Sequence, residues 1–126
     1  MLNRILFVAV LSLVFFVQKL NAQSAVYFCS ETGQYGFCYG AATDMAAREC
    51  AYTNCIKMGG TKPIVQEFTN QKGFGAICVG TNYLDEKVIG CAMGYDTQDE
   101  ADKAARQQCE DNGGYKIKVK EQWNDQ

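Results

Sequence analysis

Cys55-Ile-Lys-Met-Gly-Gly-Thr-Lys-Pro-Ile-Val-Gln-Glu67 returns 54 residues later as Cys109-Glu-Asp-Asn-Gly-Gly-Tyr-Lys-Ile-Lys-Val-Lys-Glu121. Both copies read Cys-x3-Gly-Gly-x-Lys-x2-Val-x-Glu. A spaced pattern of this length, at equivalent points of two similar segments, argues for an internal duplication. In each copy the Gly pair reads as a helix stop, since a left-handed C′ residue costs glycine little. The residues after each pair read as a strand. Tyr115, Ile117 and Val119 alternate on one face, and Pro63 places the first-copy strand, Lys62 to Phe68, at an edge or a strand start.

Working upstream, each Gly pair closes a helix. Thr43 is a good N-cap, with Asp44 where the helix dipole favours negative charge. Ala47, Cys50, Ala51, Asn54, Cys55 and Met58 then recur at spacings of three and four. The second helix opens on the capping box Thr97-Gln-Asp-Glu100 and turns Ala101, Ala104, Ala105, Gln108, Cys109 and Asn112 inward. The first stripe is built of small residues, so that helix can lie close on a sheet.

A hairpin precedes each helix. Ala25 to Ser30 and Tyr35 to Gly40 flank Gly33-Gln34, which fits a two-residue turn and sets Cys29 opposite Cys38. Ala76 to Thr81 and Lys87 to Gly94 flank the longer loop Asn82 to Glu86, whose centre sets Cys78 opposite Cys91. Each hairpin is therefore expected to carry a cross-strand bond. Cys55 and Cys109 complete the disulfide candidates. Cys50 aligns with Ala104, has no counterpart, and is the candidate free thiol.

The expected fold is α+β: two pseudo-repeated ββαβ units, about 25–68 and 74–121, forming one mixed sheet with two helices packed on it. Neither unit has enough core alone, so residues 23–126 should make a single domain.

The chain has 126 residues, and its start is set apart from this plan. Asn3 and Arg4 precede an apolar run from Ile5 to Val17, followed by Leu20-Asn21-Ala22. The run is short against the roughly 20 residues a membrane span needs, and small Ala22 suits cleavage. Residues 1–22 are expected to be a signal peptide, which makes the rest secreted or periplasmic, with no membrane insertion after its removal. The remaining chain holds 10 basic and 14 acidic residues, against the basic surplus of a nucleic-acid binder. All seven Cys lie in it, and export makes disulfides their default use. The absence of His and of any Cys-x2-Cys pair argues against a zinc site or a thioredoxin-like site.

Thr32-Gly33-Gln34-Tyr35-Gly36, Cys55 with Gly59-Gly60, Phe68-Thr69-Asn70, Gly75-Ala76-Ile77, and Cys109 with Gly113-Gly114 carry a family likeness. Together they resemble the repeating units of the secreted bacterial family catalogued as domain of unknown function 4189, over nearly all of Val26 to Lys120. The resemblance implies a bacterial exported protein and brings no catalytic residues with it. The chain departs from that family where a Cys usually follows the Gly pair: Thr61 and Tyr115 stand there.

Chemistry is thinly signalled. Without His, the commonest general base and every Ser-His or Cys-His arrangement are missing. Asp85-Glu86, Asp99-Glu100 and Glu110-Asp111 read as a loop, a helix start and a helix end. Tyr27, Phe28, Tyr35, Phe37, Tyr39 and Tyr52 crowd the first copy, either as core or as an aromatic binding patch, with Tyr27, Phe28, Tyr35, Phe37 and Tyr39 the binding candidates. The expected function is an exported, disulfide-stabilised, non-enzymatic binding module without cofactor or metal. It would engage a protein or cell-envelope component, as an inhibitor or immunity-type protein does. The alternatives are a small cell-wall or envelope hydrolase using carboxylates, and a thiol redox protein acting through Cys50.

Overall fold

A computed structural model describes residues 23–125; the expected signal peptide, 1–22, lies outside the described residues. The chain runs β1 (Gln23–Cys29), β2 (Gln34–Ala41), α1 (Asp44–Lys57), β3 (Ile64–Thr69), β4 (Phe74–Thr81), β5 (Lys87–Tyr95), α2 (Gln98–Asp111) and β6 (Tyr115–Asn124). This is an α+β fold of two ββαβ units.

The helix ends follow their local chemistry. Thr43 and Thr97 cap α1 and α2, their hydroxyls accepting from the Ala46 and Glu100 amides. At the other ends Gly59 and Gly113 take φ of 103° and 90°. The Gly60 and Gly114 amides donate back to the Cys55 and Cys109 carbonyls at 2.9 Å, the Schellman closure.

The strands form two three-stranded antiparallel sheets, β2-β1-β3 and β5-β4-β6, in place of the one mixed sheet expected. The crossover through α1 carries the chain to the far side of β1, so β3 lies parallel to β2 with β1 between them. α2 does the same in the second unit. Each sheet is thereby completed within its own unit.

The two units correspond closely. Tyr27 pairs with Gly36 and Val65, Cys78 with Gly90 and Val119, and the β1–β3 and β4–β6 ladders slip at matching places. Gly36 and Gly90 lie under the helices, where an added Cβ would strike the backbone at Ala51 and Cys55, or at Ala105 and Cys109.

Small residues hold each helix to its own sheet: Ala25, Ala47 and Ala51 in the first unit, Ala76, Cys78, Ala92, Ala101, Ala105 and Cys109 in the second. The opposite faces share one larger core of Val26, Phe28, Ile77, Ile89, Cys91, Met93 and Trp123. The layers therefore run helix, sheet, sheet, helix. Asp125 fastens one end of the assembly. Its carboxylate accepts from the Ser24 hydroxyl at 3.2 Å and from the Gly73 amide at 2.6 Å.

The hairpin registers differ from expectation. Cys29 pairs with Gln34 and Cys38 with Ala25, because the turn spans Ser30 to Gly33, with Gly33 left-handed (φ 73°) as its last residue. In the second hairpin Cys78 pairs with Gly90 and Cys91 with Ile77. Asn82 organises that loop by accepting from the Leu84 and Glu86 amides, and Asp85 adopts φ 63°. A one-residue slip sends side chains to opposite faces, so Cys78 faces α2 while Cys91 faces the other sheet.

Candidate functional site

The cysteines are distributed otherwise than by cross-strand pairs. Cys38, on the helix-facing side of β2, is bonded to Cys50 on α1, with Cα atoms 5.9 Å apart. Cys50 is therefore not the free thiol, and a redox role built on it falls away. Cys29, Cys55, Cys78, Cys91 and Cys109 are buried thiols.

The first-hairpin aromatics separate onto two faces. Phe28, Tyr35, Phe37 and Tyr39 point between the sheets, where Phe37 and Tyr39 stack on Trp123 at 5.2 and 5.9 Å. Phe28 is core; Tyr39, 50 % exposed, is the open end of the stack. Tyr27 points the other way and meets the Tyr52 ring edge-on at 5.8 Å.

The repeated motif ends in two inward carboxylates. Glu121 accepts from the Tyr35 hydroxyl at 3.0 Å; burial and this carboxylate push the Tyr35 phenol up to about 12. Glu67 accepts from the Cys91 thiol, while its Oε2 is buried without a hydrogen-bond partner. Burial raises the Glu67 pKa above its ordinary 4.5. The folded chain then holds this proton more tightly than the unfolded chain. Its contribution to stability is complete below pH 4.5 and declines as pH rises through the raised pKa. Glu67→Gln should flatten that decline and raise the melting temperature at pH 7 to 8 by a few degrees, read from thermal melts across pH. Equal pH slopes for both proteins would contradict the burial argument.

A partly apolar open surface lies on the outer side of the first unit. There Tyr27 of β1 and Arg48, Glu49, Tyr52 and Thr53 of α1 line a cavity of about 310 Å³. Arg48 is held by Asp44 at 3.0 Å, one helical turn back, and its guanidinium lies 4.0 Å over the Phe68 ring. β3 is an edge strand; Phe68 on this side is 49 % exposed, and Ile64, on the strand's other face opposite Phe28, is 63 % exposed. Met45, Tyr52 and Ile56 on α1 are exposed as well.

In the second unit three of the four equivalent positions are polar and bonded. Cys78, Asp102, Arg106 and Gln122 replace Tyr27, Arg48, Tyr52 and Phe68. Gln122 donates to Asp102 at 2.8 Å and Arg106 to the Ile117 carbonyl at 3.2 Å, tying α2 to β6. On the strand itself Lys118 and Lys120 replace Ile64 and Gln66. Lysines on an edge strand discourage further strand pairing. Arg48, Ile64 and Phe68 stand outside the sequence-derived aromatic group. Their signal is the position-by-position difference between the copies.

The acidic pairs do not meet. Glu49, Glu86, Glu110 and Glu121 each line a different cavity as its one carboxylate, so none of these four cavities sets two carboxylates face to face. Among the described residues no helix is long and apolar enough to cross a membrane. No protein-family model, curated protein or solved structure matches this chain.

Proposed function

We propose that the chain is an exported, disulfide-stabilised binding module, whose first unit takes up an extended segment of another envelope or extracellular protein. The segment pairs along the outer edge of β3 and sets apolar side chains against Tyr52 and Phe68. The observation that carries this reading is the contrast between the two edge strands: β3 is apolar and open where β6 is guarded by lysine. Strand addition draws affinity from main-chain bonds and specificity from alternate side-chain pockets. Export rests on the leader-like sequence and agrees with the Cys38–Cys50 bond. The likeness to the secreted family named above belongs to the same proposal.

The test is to identify a partner by capture on the chain 23–126 and then titrate the purified pair. Ile64→Lys with Phe68→Gln, which copies the second unit, should weaken binding by roughly 30-fold or more, as loss of a central apolar anchor does. Lys118→Ala should leave it unchanged. A partner whose affinity ignores the β3 substitutions would overturn the assignment.

A further inference from the structure

Cys29 and Cys55 are both fully buried thiols in the first unit. Cys29 ends β1 on the face covered by α1, and Cys55 sits in the last turn of that helix. A Cβ added to Gly60 would lie 2.7 Å from Cys55 Sγ and 3.4 Å from Cys29 Cβ, so both side chains border the same small space. The second unit measures the separation independently. Gly80 occupies the place of Cys29, pairing with Val88 as Cys29 pairs with Gln34. A Cβ built on Gly80 would stand 3.3 Å from the sulfur of Cys109, the counterpart of Cys55. A disulfide holds each sulfur about 3 Å from its partner's Cβ.

We propose that Cys29 and Cys55 form a second, reversible cross-link, made by exchange with a small-molecule disulfide, that ties the end of β1 to the last turn of α1. The surroundings set the order of attack. The Thr32 hydroxyl, the Lys62 amide (3.5 Å from Sγ) and the Thr61 hydroxyl (3.6 Å) hydrogen-bond Cys29 and hold its thiol down to about 6. Burial and the neighbouring Cys29 charge push the Cys55 thiol up. When the exposed segments that cover it, Ser30–Thr32 and Thr61–Lys62, open locally, Cys29, the thiolate at neutral pH, attacks one sulfur of oxidised glutathione. The S–S bond of the reagent breaks, a mixed disulfide forms on Cys29, and one glutathione thiolate leaves. Cys55 then gives up its proton to solvent and attacks the Cys29 sulfur, expelling the second glutathione. Two protein thiols lose two electrons and two protons, and one glutathione disulfide becomes two thiols. The cross-link stands apart from Cys38–Cys50, which joins β2 to the middle of the same helix.

The test incubates the folded protein in glutathione buffers of rising oxidation, unfolds it in guanidinium with excess N-ethylmaleimide to trap every remaining thiol, and maps chymotryptic peptides without reduction. This digest separates the two bonds, since Tyr35 and Phe37 divide Cys29 from Cys38 and Tyr52 divides Cys50 from Cys55. The expected product joins Cys29–Tyr35 to Thr53–Phe68, and maleimide adducts fall from five to three. Cys55→Ser should stop at glutathione on Cys29, and Cys29→Ser should leave Cys55 fully alkylated. The rate of the first step should be half-maximal near pH 6. Maleimide on both Cys29 and Cys55 of the wild type at the most oxidising ratio would overturn the cross-link. Accumulation of glutathione on Cys55, or a half-maximal rate near pH 9, would overturn the order of attack.

Discussion

Gly36→Ala should cost the protein most of its stability. The position lies on β2 directly beneath α1, and a methyl group there would run into the Ala51 carbonyl and the Cys55 amide. Both obstacles are helix backbone, so no side chain can swing aside. The helix would have to lift, breaking its contact with Ala25 and straining the Cys38–Cys50 bond that fixes its middle. Overpacking usually costs about 1 to 3 kcal/mol, and a backbone clash belongs at or above the top of that range. At roughly 4 to 8 °C per kcal/mol for a domain of this size, the melting temperature should drop by at least about 12 °C. Gly113→Ala is the control. It meets nothing within 4 Å, although its φ of 90° makes it costly by about 1 kcal/mol. Similar losses for the two variants, measured by circular dichroism melts, would mean that close helix approach is not what Gly36 provides.

Trp123→Ala should have an effect of similar size for a different reason. Trp123 is supplied by β6 of the second unit, yet it stacks on Phe37 and Tyr39 of the first. Its indole also fills the space above Gly75, where any Cβ would collide with the ring. Removing it empties the largest side chain of the shared core, at a cost of about 3 to 5 kcal/mol. The hairpins and helices each retain their own contacts, so the loss falls on the junction. Trp123→Phe should recover part of it. The expected signature in urea is an early, broad transition with a reduced slope, as the units cease to unfold together. A sharp transition at an unchanged midpoint would show that the junction does not depend on this ring.

What can be read from the sequence divides along physical lines. Helix bounds, caps and Gly stops are set by neighbours within one turn, and Thr43, Thr97, Gly59 and Gly113 behave as their chemistry dictates. Strand register depends on turn geometry. Gly33 can open a two-residue turn or close a four-residue one, and nothing nearby in sequence decides between them. The same ambiguity of one position in the Asn82 to Glu86 loop decides which face of its sheet Cys91 takes. The division into two sheets is equally hidden, because β3 has the composition to pair with either unit. The first-hairpin aromatics look like one cluster, but alternation splits Tyr27 from Phe28, buries Phe28 and leaves Tyr39 the most open of the five. The β3 flank escapes a reading of single residues. Arg48, Ile64 and Phe68 are ordinary one at a time and become informative only beside Asp102, Lys118 and Gln122.

The Asp125 carboxylate has a topological consequence. It joins Ser24, 101 residues away in sequence, to Gly73 in the link between the units. The beginning of the first unit, its junction with the second, and the close of the second thus converge at one point. In space the path from 23 to 125 is a ring left open at one place. Which unit comes first is a property of the gene and not of the folded object. Joining the ends there and opening the chain near Asn70 would give a circular permutant with the same two sheets and the same shared core.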